Sequence, residues 1–235
     1  MHATVAAFAR KFLSLDEGEV REMYIDNRGL VTTGVGNLLQ TPAEANQYEW
    51  EKTGGGRAAP QEVAAEYERV RSADTKAKIP NWAVMGGGNF IRAARGLGIV
   101  TLQLTSESYS RIFSDKLSGL EATMKGTPGF EEFETYPADA QLGVLSLIWL
   151  NGAGAANWGP QKEDLRLHKT WPNFTNACKR RAWAEIADRK HYKSKNMGAV
   201  RDRLTEQVFR NAQLVEDQLG AIPPADVTRI VFQAP

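Results

Sequence analysis

The stretch Glu17-Gly18-Glu19-Val20-Arg21-Glu22-Met23-Tyr24-Ile25-Asp26-Asn27-Arg28-Gly29-Leu30-Val31-Thr32-Thr33-Gly34-Val35-Gly36 decides how this chain is read. Asp-Asn-Arg-Gly is a strong turn sequence, and Gly29 is free to adopt the positive φ that such a turn asks for. Leu30 to Val35 beyond it reads as a strand, with Gly34 and Gly36 leaving open backbone. A tight hairpin therefore separates Asp26 from Thr32. Upstream, Val5, Phe8 and Phe12 recur at helical spacing, so residues 3–16 read as a helix that Gly18 stops. Glu17 then sits at a helix C-terminus, where the macrodipole disfavours a carboxylate and helps keep it protonated.

Two acids on different local elements, facing one gap, are what cleavage of a glycosidic bond requires. One donates a proton to the leaving oxygen, and the other activates water or stabilises positive charge at the anomeric carbon. Glu17 is the candidate acid, Asp26 the second carboxylate, and Thr32 a hydroxyl to hold the water. Each also has an ordinary reading. A helix-end Glu is commonly just exposed, an Asp at a turn commonly bonds the turn backbone, and a strand Thr is there for β-propensity.

The same residues carry a resemblance. Glu17-Gly18, followed by Tyr24-x-Asp26-x-x-Gly29-x-x-Thr32-x-Gly34-x-Gly36, resembles the catalytic signature of the phage-type lysozymes, glycoside hydrolase family 24, with every specified position filled. The resemblance implies an α+β, mostly α-helical fold, lysozyme-like and two-lobed. A small β-hairpin lobe and a larger helical lobe would flank a substrate cleft. It implies an N-acetylmuramidase that cuts the β-1,4 bond of bacterial peptidoglycan by inversion, without a cofactor or metal. Asn37 departs from the pattern, since many members have His there.

Further along, Thr105 is a candidate N-cap for a helix to about Lys125, with Ile112, Phe113, Leu117 and Leu120 on its buried side. Leu104-Thr105-Ser106-Glu107 resembles the start of the family's lobe-joining helix. Pro137 to Leu150 is strongly apolar and reads as the core helix of the larger lobe, ending at Asn151-Gly152. Trp149 and Asn151 lie where family members place cleft residues, which makes them candidate substrate contacts. Trp149 is equally readable as an ordinary core aromatic. A helix is expected over about 175–189, and Arg201-x-Arg203-x-x-Glu206-x-x-Phe209 resembles the family's last helix. By that alignment Arg201 would pair with and orient Glu17, at the cost of favouring its charged form.

Residues 1–213 are thus expected to form one catalytic domain, with 214–235 a C-terminal tail of linker or surface character. Residues 40–104 form a long insertion of unassigned role: surface elaboration, cleft wall or docking surface. Pro42, Gly54-Gly55-Gly56 and Gly86-Gly87-Gly88 mark loops within it, and Pro60 to Ser72 a helix.

Bulk properties narrow the classes. The chain has 235 residues, and no apolar run approaches the ~20 of a membrane helix. A single cysteine, Cys178, excludes an internal disulfide, and His2, His168 and His191 lack metal-ligand spacing. Net charge is +1, yet residues 16–74 carry a net −6 and residues 161–210 a net +7. The basic segment, with Lys190, Lys193 and Lys195, is either a solvated face or an attraction to an anionic polymer such as peptidoglycan. No nucleic-acid motif accompanies it.

The N-terminal charges come after the apolar residues, so no secretory signal is read. The expected setting is synthesis in the cytoplasm, then action on wall in the periplasm or a target cell. The carrier of that activity is a phage endolysin or a lysozyme-like antibacterial effector, the latter implying a delivery apparatus and a cognate immunity protein. Two alternatives remain open: a lytic transglycosylase, or a non-catalytic wall-binding module on the same fold.

Overall fold

The hairpin forms where the turn chemistry places it. Strand β1 (Val20–Ile25) pairs antiparallel with β2 (Val31–Gly34), with Ile25 opposite Val31 and Tyr24 opposite Thr32. Gly29 has φ +80°, the left-handed value that a side chain resists. Gly34 and Gly36, at φ +62° and +77°, then turn the chain into β3 (Asn37–Leu38), which completes a three-stranded sheet in the order β1-β2-β3.

The computed structural model describes residues 1–17, 19–152, 172–188, 199–221, 223 and 225–233. The class is α+β and mostly helical, with small antiparallel sheets, as expected. The chain divides into two units, residues 17–115 and residues 1–16 with 116–235.

In the unit of residues 17–115, the insertion is organised around the hairpin. Short helix α2 (Pro42–Ala45) starts at Thr41, whose side chain accepts from the Glu44 amide. Strand β4 (Trp50–Lys52) pairs antiparallel with β5 (Leu102–Leu104), an association that no local pattern announced. Between them lie α3 (Pro60–Arg71), α4 (Ala73–Lys78) and α5 (Gly87–Gly96).

Glu66 on α3 is wholly buried and serves as the staple of the second sheet. Its carboxylate accepts from Thr101 N at 2.8 Å, Thr101 Oγ1 at 2.7 Å and Leu102 N at 3.1 Å, with Arg69 at 3.2 Å. Arg21 of β1 joins the two sheets, bonding Glu51 and the Leu104 carbonyl. The Gly86-Gly87-Gly88 run, read as a loop, opens α5 instead. Burial of Phe90, Ile91 and Ala94 outweighs the entropic cost of the glycines.

The other unit contains α1 (Ala3–Glu17) up to Asp16, and α6 (Ser106–Lys125) from Lys116 onward. The Thr105 hydroxyl caps α6 by accepting from Ser108 N. Helix α7 (Ala138–Gly152) is the expected core helix: Leu142, Val144, Leu145, Leu147, Ile148 and Trp149 are all inaccessible. An all-round apolar helix can be stable in water only if the rest of the unit surrounds it.

The helix expected over 175–189 is two helices, α8 (Pro172–Lys179) and α9 (Trp183–Ala187). Arg181 separates them at φ +55°, with the Ala182 amide returning to Ala177 O. This is a left-handed helix stop on a non-glycine residue, held by Arg181 contacts to Glu216, Glu132 and Thr135. Helix α10 (Ala199–Asp217) packs on α7, with Phe209 stacked on Trp183 at 6.1 Å between centroids.

The boundary drawn at residue 213 falls inside α10, and the segment beyond that helix is more than a linker. Phe232 is buried and meets Phe12 edge-on at 5.1 Å. Asp139 of α7 anchors that segment by accepting from Val231 N at 2.7 Å and Phe232 N at 2.9 Å. Cys178 is a buried core thiol whose pKa burial raises.

Candidate active site

Asp26 closes the β1–β2 turn with its backbone and its side chain. Its amide donates to Leu30 O and its carbonyl accepts from Gly29 N, both at 2.9 Å. Oδ1 accepts from Arg28 N and from Leu30 N, also at 2.9 Å each. The ordinary turn role is therefore real. It is also incomplete, because among the described residues Oδ2 accepts no hydrogen bond. One oxygen fixes the carboxylate, and the other has no hydrogen-bond partner among the described residues.

Thr32 is buried, and its hydroxyl donates to Leu30 O at 3.3 Å. Alternation along the strands decides which face it shares. Tyr24 lies opposite Thr32, and Asp26 is two residues beyond Tyr24, so Asp26 and Thr32 belong to the same face of the hairpin.

The insertion borders that turn and that face. The Lys76 ammonium donates to the Gly29 carbonyl at 3.3 Å and sits over the Trp82 ring, 5.1 Å from its centroid. A Cβ on Gly29 would lie 3.2 Å from both Lys76 Nζ and Trp82 Cη2. At Gly87, the start of α5, a Cβ would lie 3.1 Å from the Tyr24 ring. Arg95 near the end of α5 pairs with the buried Glu22 of β1. Sequence pattern did not single out Lys76 and Trp82. The available signal was a tryptophan in a short segment bounded by Pro80 and Gly86-Gly87-Gly88, with a lysine six residues earlier.

Glu17 is the last residue of α1, as expected, but its side chain lies outside the described residues. Arg201 is 1% exposed on α10, in the unit of residues 1–16 and 116–235. Trp149 is 0% exposed, with the Lys116 ammonium 4.2 Å from its ring centroid. A ring so covered has no face open to a sugar, and its surroundings support the core role. Asn151 occupies the last turn of α7, and its side chain lies outside the described residues, as do Lys190, Lys193 and Lys195 entirely.

Other polar features explain themselves structurally. Burial raises the pKa of Glu66, yet both of its oxygens are already committed to β5 and Arg69, so it has no proton-transfer position to offer. A cavity of about 500 Å³ in the insertion is lined by Lys52, Glu62, Arg69 and Thr101. Its two cations are paired, Lys52 with Glu62 at 2.8 Å and Arg69 with Glu66 at 3.2 Å. Among the described residues no cluster of three His, Cys, Asp or Glu could hold a metal, and no helix is long and apolar enough to cross a membrane.

Comparison with protein-family models, curated proteins and solved structures finds no match.

Proposed function

We propose that this chain is a peptidoglycan hydrolase, an N-acetylmuramidase of the phage-type lysozyme kind. The observation that carries the reading is the Asp26 turn. Within a fully matched Glu-Asp-Thr signature, the hairpin register sets Asp26 and Thr32 on one face, and only one Asp26 oxygen is used by the turn. Glu17, at the negative end of a helix, is the general acid. The second Asp26 oxygen and the Thr32 hydroxyl hold the attacking water. Inversion then calls for about 6.5–9.5 Å between the two carboxyl groups. Arg201 orients Glu17, in a lysozyme-like arrangement of a hairpin lobe and a helical lobe. The substrate is wall peptidoglycan, reached from the cytoplasm by release or delivery, and an effector of this kind would have a cognate immunity protein.

A water-holding pair favours hydrolysis over transglycosylation, which needs no such water. The test is Glu17→Gln assayed on purified sacculi with analysis of the products. The variant should stay folded and lose about 10²–10⁴-fold in rate, while the wild-type protein releases reducing ends. Near-normal turnover by folded Glu17→Gln refutes the assignment. Anhydro-muramyl products point to the transglycosylase, and an inert wild type to a non-catalytic wall module.

A further inference from the structure

Lys76 differs from its neighbours on α4. Lys78 pairs with Asp74 at 2.7 Å, whereas half-buried Lys76 meets no carboxylate among the described residues. Its partners are a carbonyl, Gly29 O, and a π-face, Trp82. A half-buried ammonium that meets no carboxylate among the described residues is one with which an incoming anion can pair.

Trp82 is partly exposed, and its position is defined. Successive turn bonds, Trp82 N to Ile79 O at 3.1 Å and Val84 N to Asn81 O at 3.1 Å, hold the segment that carries it. The indole edge abuts Gly29, three residues after Asp26 in the same turn. Lys76 covers one ring face. An indole placed this way offers a large, rigid apolar surface with a polar edge, the kind of group that lies against the C–H face of a pyranose.

We propose that Lys76 and Trp82 form a saccharide subsite beside the Asp26 turn, selective for a sugar bearing a carboxylate. The indole packs against the pyranose ring and the ammonium takes the carboxylate. The subsite deepens the hydrolase reading and rests on it for the identity of the natural glycan. It assigns to the insertion a role in choosing substrate. Because Lys76 already holds the Gly29 carbonyl, a sugar seated here is fixed relative to the carboxylate that positions water.

The experiment is calorimetric binding in the Glu17→Gln background, so that no ligand is consumed. Two soluble probes are used: a muropeptide tetrasaccharide, which carries carboxylates, and the uncharged tetramer of N-acetylglucosamine. Lys76→Gln should weaken the muropeptide by about tenfold or more and leave the neutral tetramer within about twofold, because only the first loses a charged partner. Trp82→Ala should weaken both probes. Lys76→Arg and Trp82→Phe should recover most of the affinity, and thermal unfolding of all four variants guards against misfolding. Equal weakening of both probes by Lys76→Gln, or unchanged muropeptide binding in Trp82→Ala, overturns the subsite. So does the absence of binding by either probe at millimolar concentration. Failure of the wild type to cleave sacculi overturns the hydrolase reading alone, and the probe comparison still decides the subsite.

Discussion

Replacing Asp26 by Asn and by Ala separates its turn role from its chemical role, because the two oxygens do different things. Oδ1 accepts two backbone amides at 2.9 Å, and Oδ2 accepts none among the described residues. Asn can place its amide oxygen at the Oδ1 position and keep both bonds. It loses the charge that strengthens them, a difference of roughly 0.5–1 kcal/mol for a half-buried site after solvent screening. Ala loses both acceptor contacts, although solvent reaches this turn and replaces part of the loss, so the cost should be about 1–2 kcal/mol. Chemistry ranks the pair differently. Either variant removes the carboxylate proposed to hold the attacking water, so both should lose about 10²-fold or more in hydrolysis of sacculi. Urea unfolding gives the first ranking and turbidity clearance the second. Activity tracking stability, with Asp26→Asn close to wild type, would refute the chemical role and confine Asp26 to the turn.

The packing sets further outcomes. Gly29→Ala should cost about 1–2 kcal/mol from its left-handed φ; in a Trp82→Ala background the cost should fall, since the 3.2 Å contact with the indole is gone, and a thermodynamic cycle without coupling would disprove that contact. Gly143→Ala should destabilise by about 1–3 kcal/mol, because its Cβ would meet Phe209 ring carbons at 2.8 Å and Val208 Cγ2 at 2.9 Å in the α7–α10 packing. Burial, outweighing four hydrogen bonds (from Val231 N, Asn211, Phe232 N and its own amide), raises the Asp139 pKa above its ordinary value of 3.8, so its contribution is complete below that pH and declines as pH rises through the native value. The stability margin of wild type over Asp139→Asn should therefore narrow with rising pH in chemical unfolding, and a margin that widens would reverse the assigned direction.

What the sequence disclosed was local. The Asp26–Gly29 turn, the Thr105 cap and the all-apolar α7 depend on neighbours within a few residues, so propensity and pattern suffice to place them. Strands β4 and β5 depend on each other across half the unit. Trp50 pairs with Leu104, and neither three-residue strand is long enough to show alternation. Glu66 illustrates the same limit: an acid at a helical position looks solvated until Thr101 and Leu102 arrive to bond it. Arg181 stops a helix that its propensity would continue, because Glu216 and Glu132 lie where its guanidinium must go. Phe232 sits in a segment whose composition reads as tail, and only the packing with Phe8 and Phe12 reveals it as core.

The candidate site divides along the same line. Asp26 and Thr32 could be placed from spacing alone, because hairpin register converts spacing into a shared face. Lys76 and Trp82 could not, since 47 residues separate Lys76 from the Gly29 carbonyl it bonds. Yet the hairpin is gripped by the insertion at several points. Arg95 holds Glu22, the start of α5 packs on Tyr24, Lys76 and Trp82 meet Gly29, and Arg21 reaches the Leu104 carbonyl at the far end of the insertion. A two-stranded ribbon with a short third strand is marginal by itself in water. These contacts supply the burial and hydrogen bonding it lacks, so the insertion is part of what holds the Asp26 turn in place. Surface decoration could be trimmed without moving the turn; here, removal of residues 73–98 would strip the Gly29, Tyr24 and Glu22 contacts together. The physical case for a functional insertion is that the turn carrying the candidate water-holding carboxylate has its nearest support there.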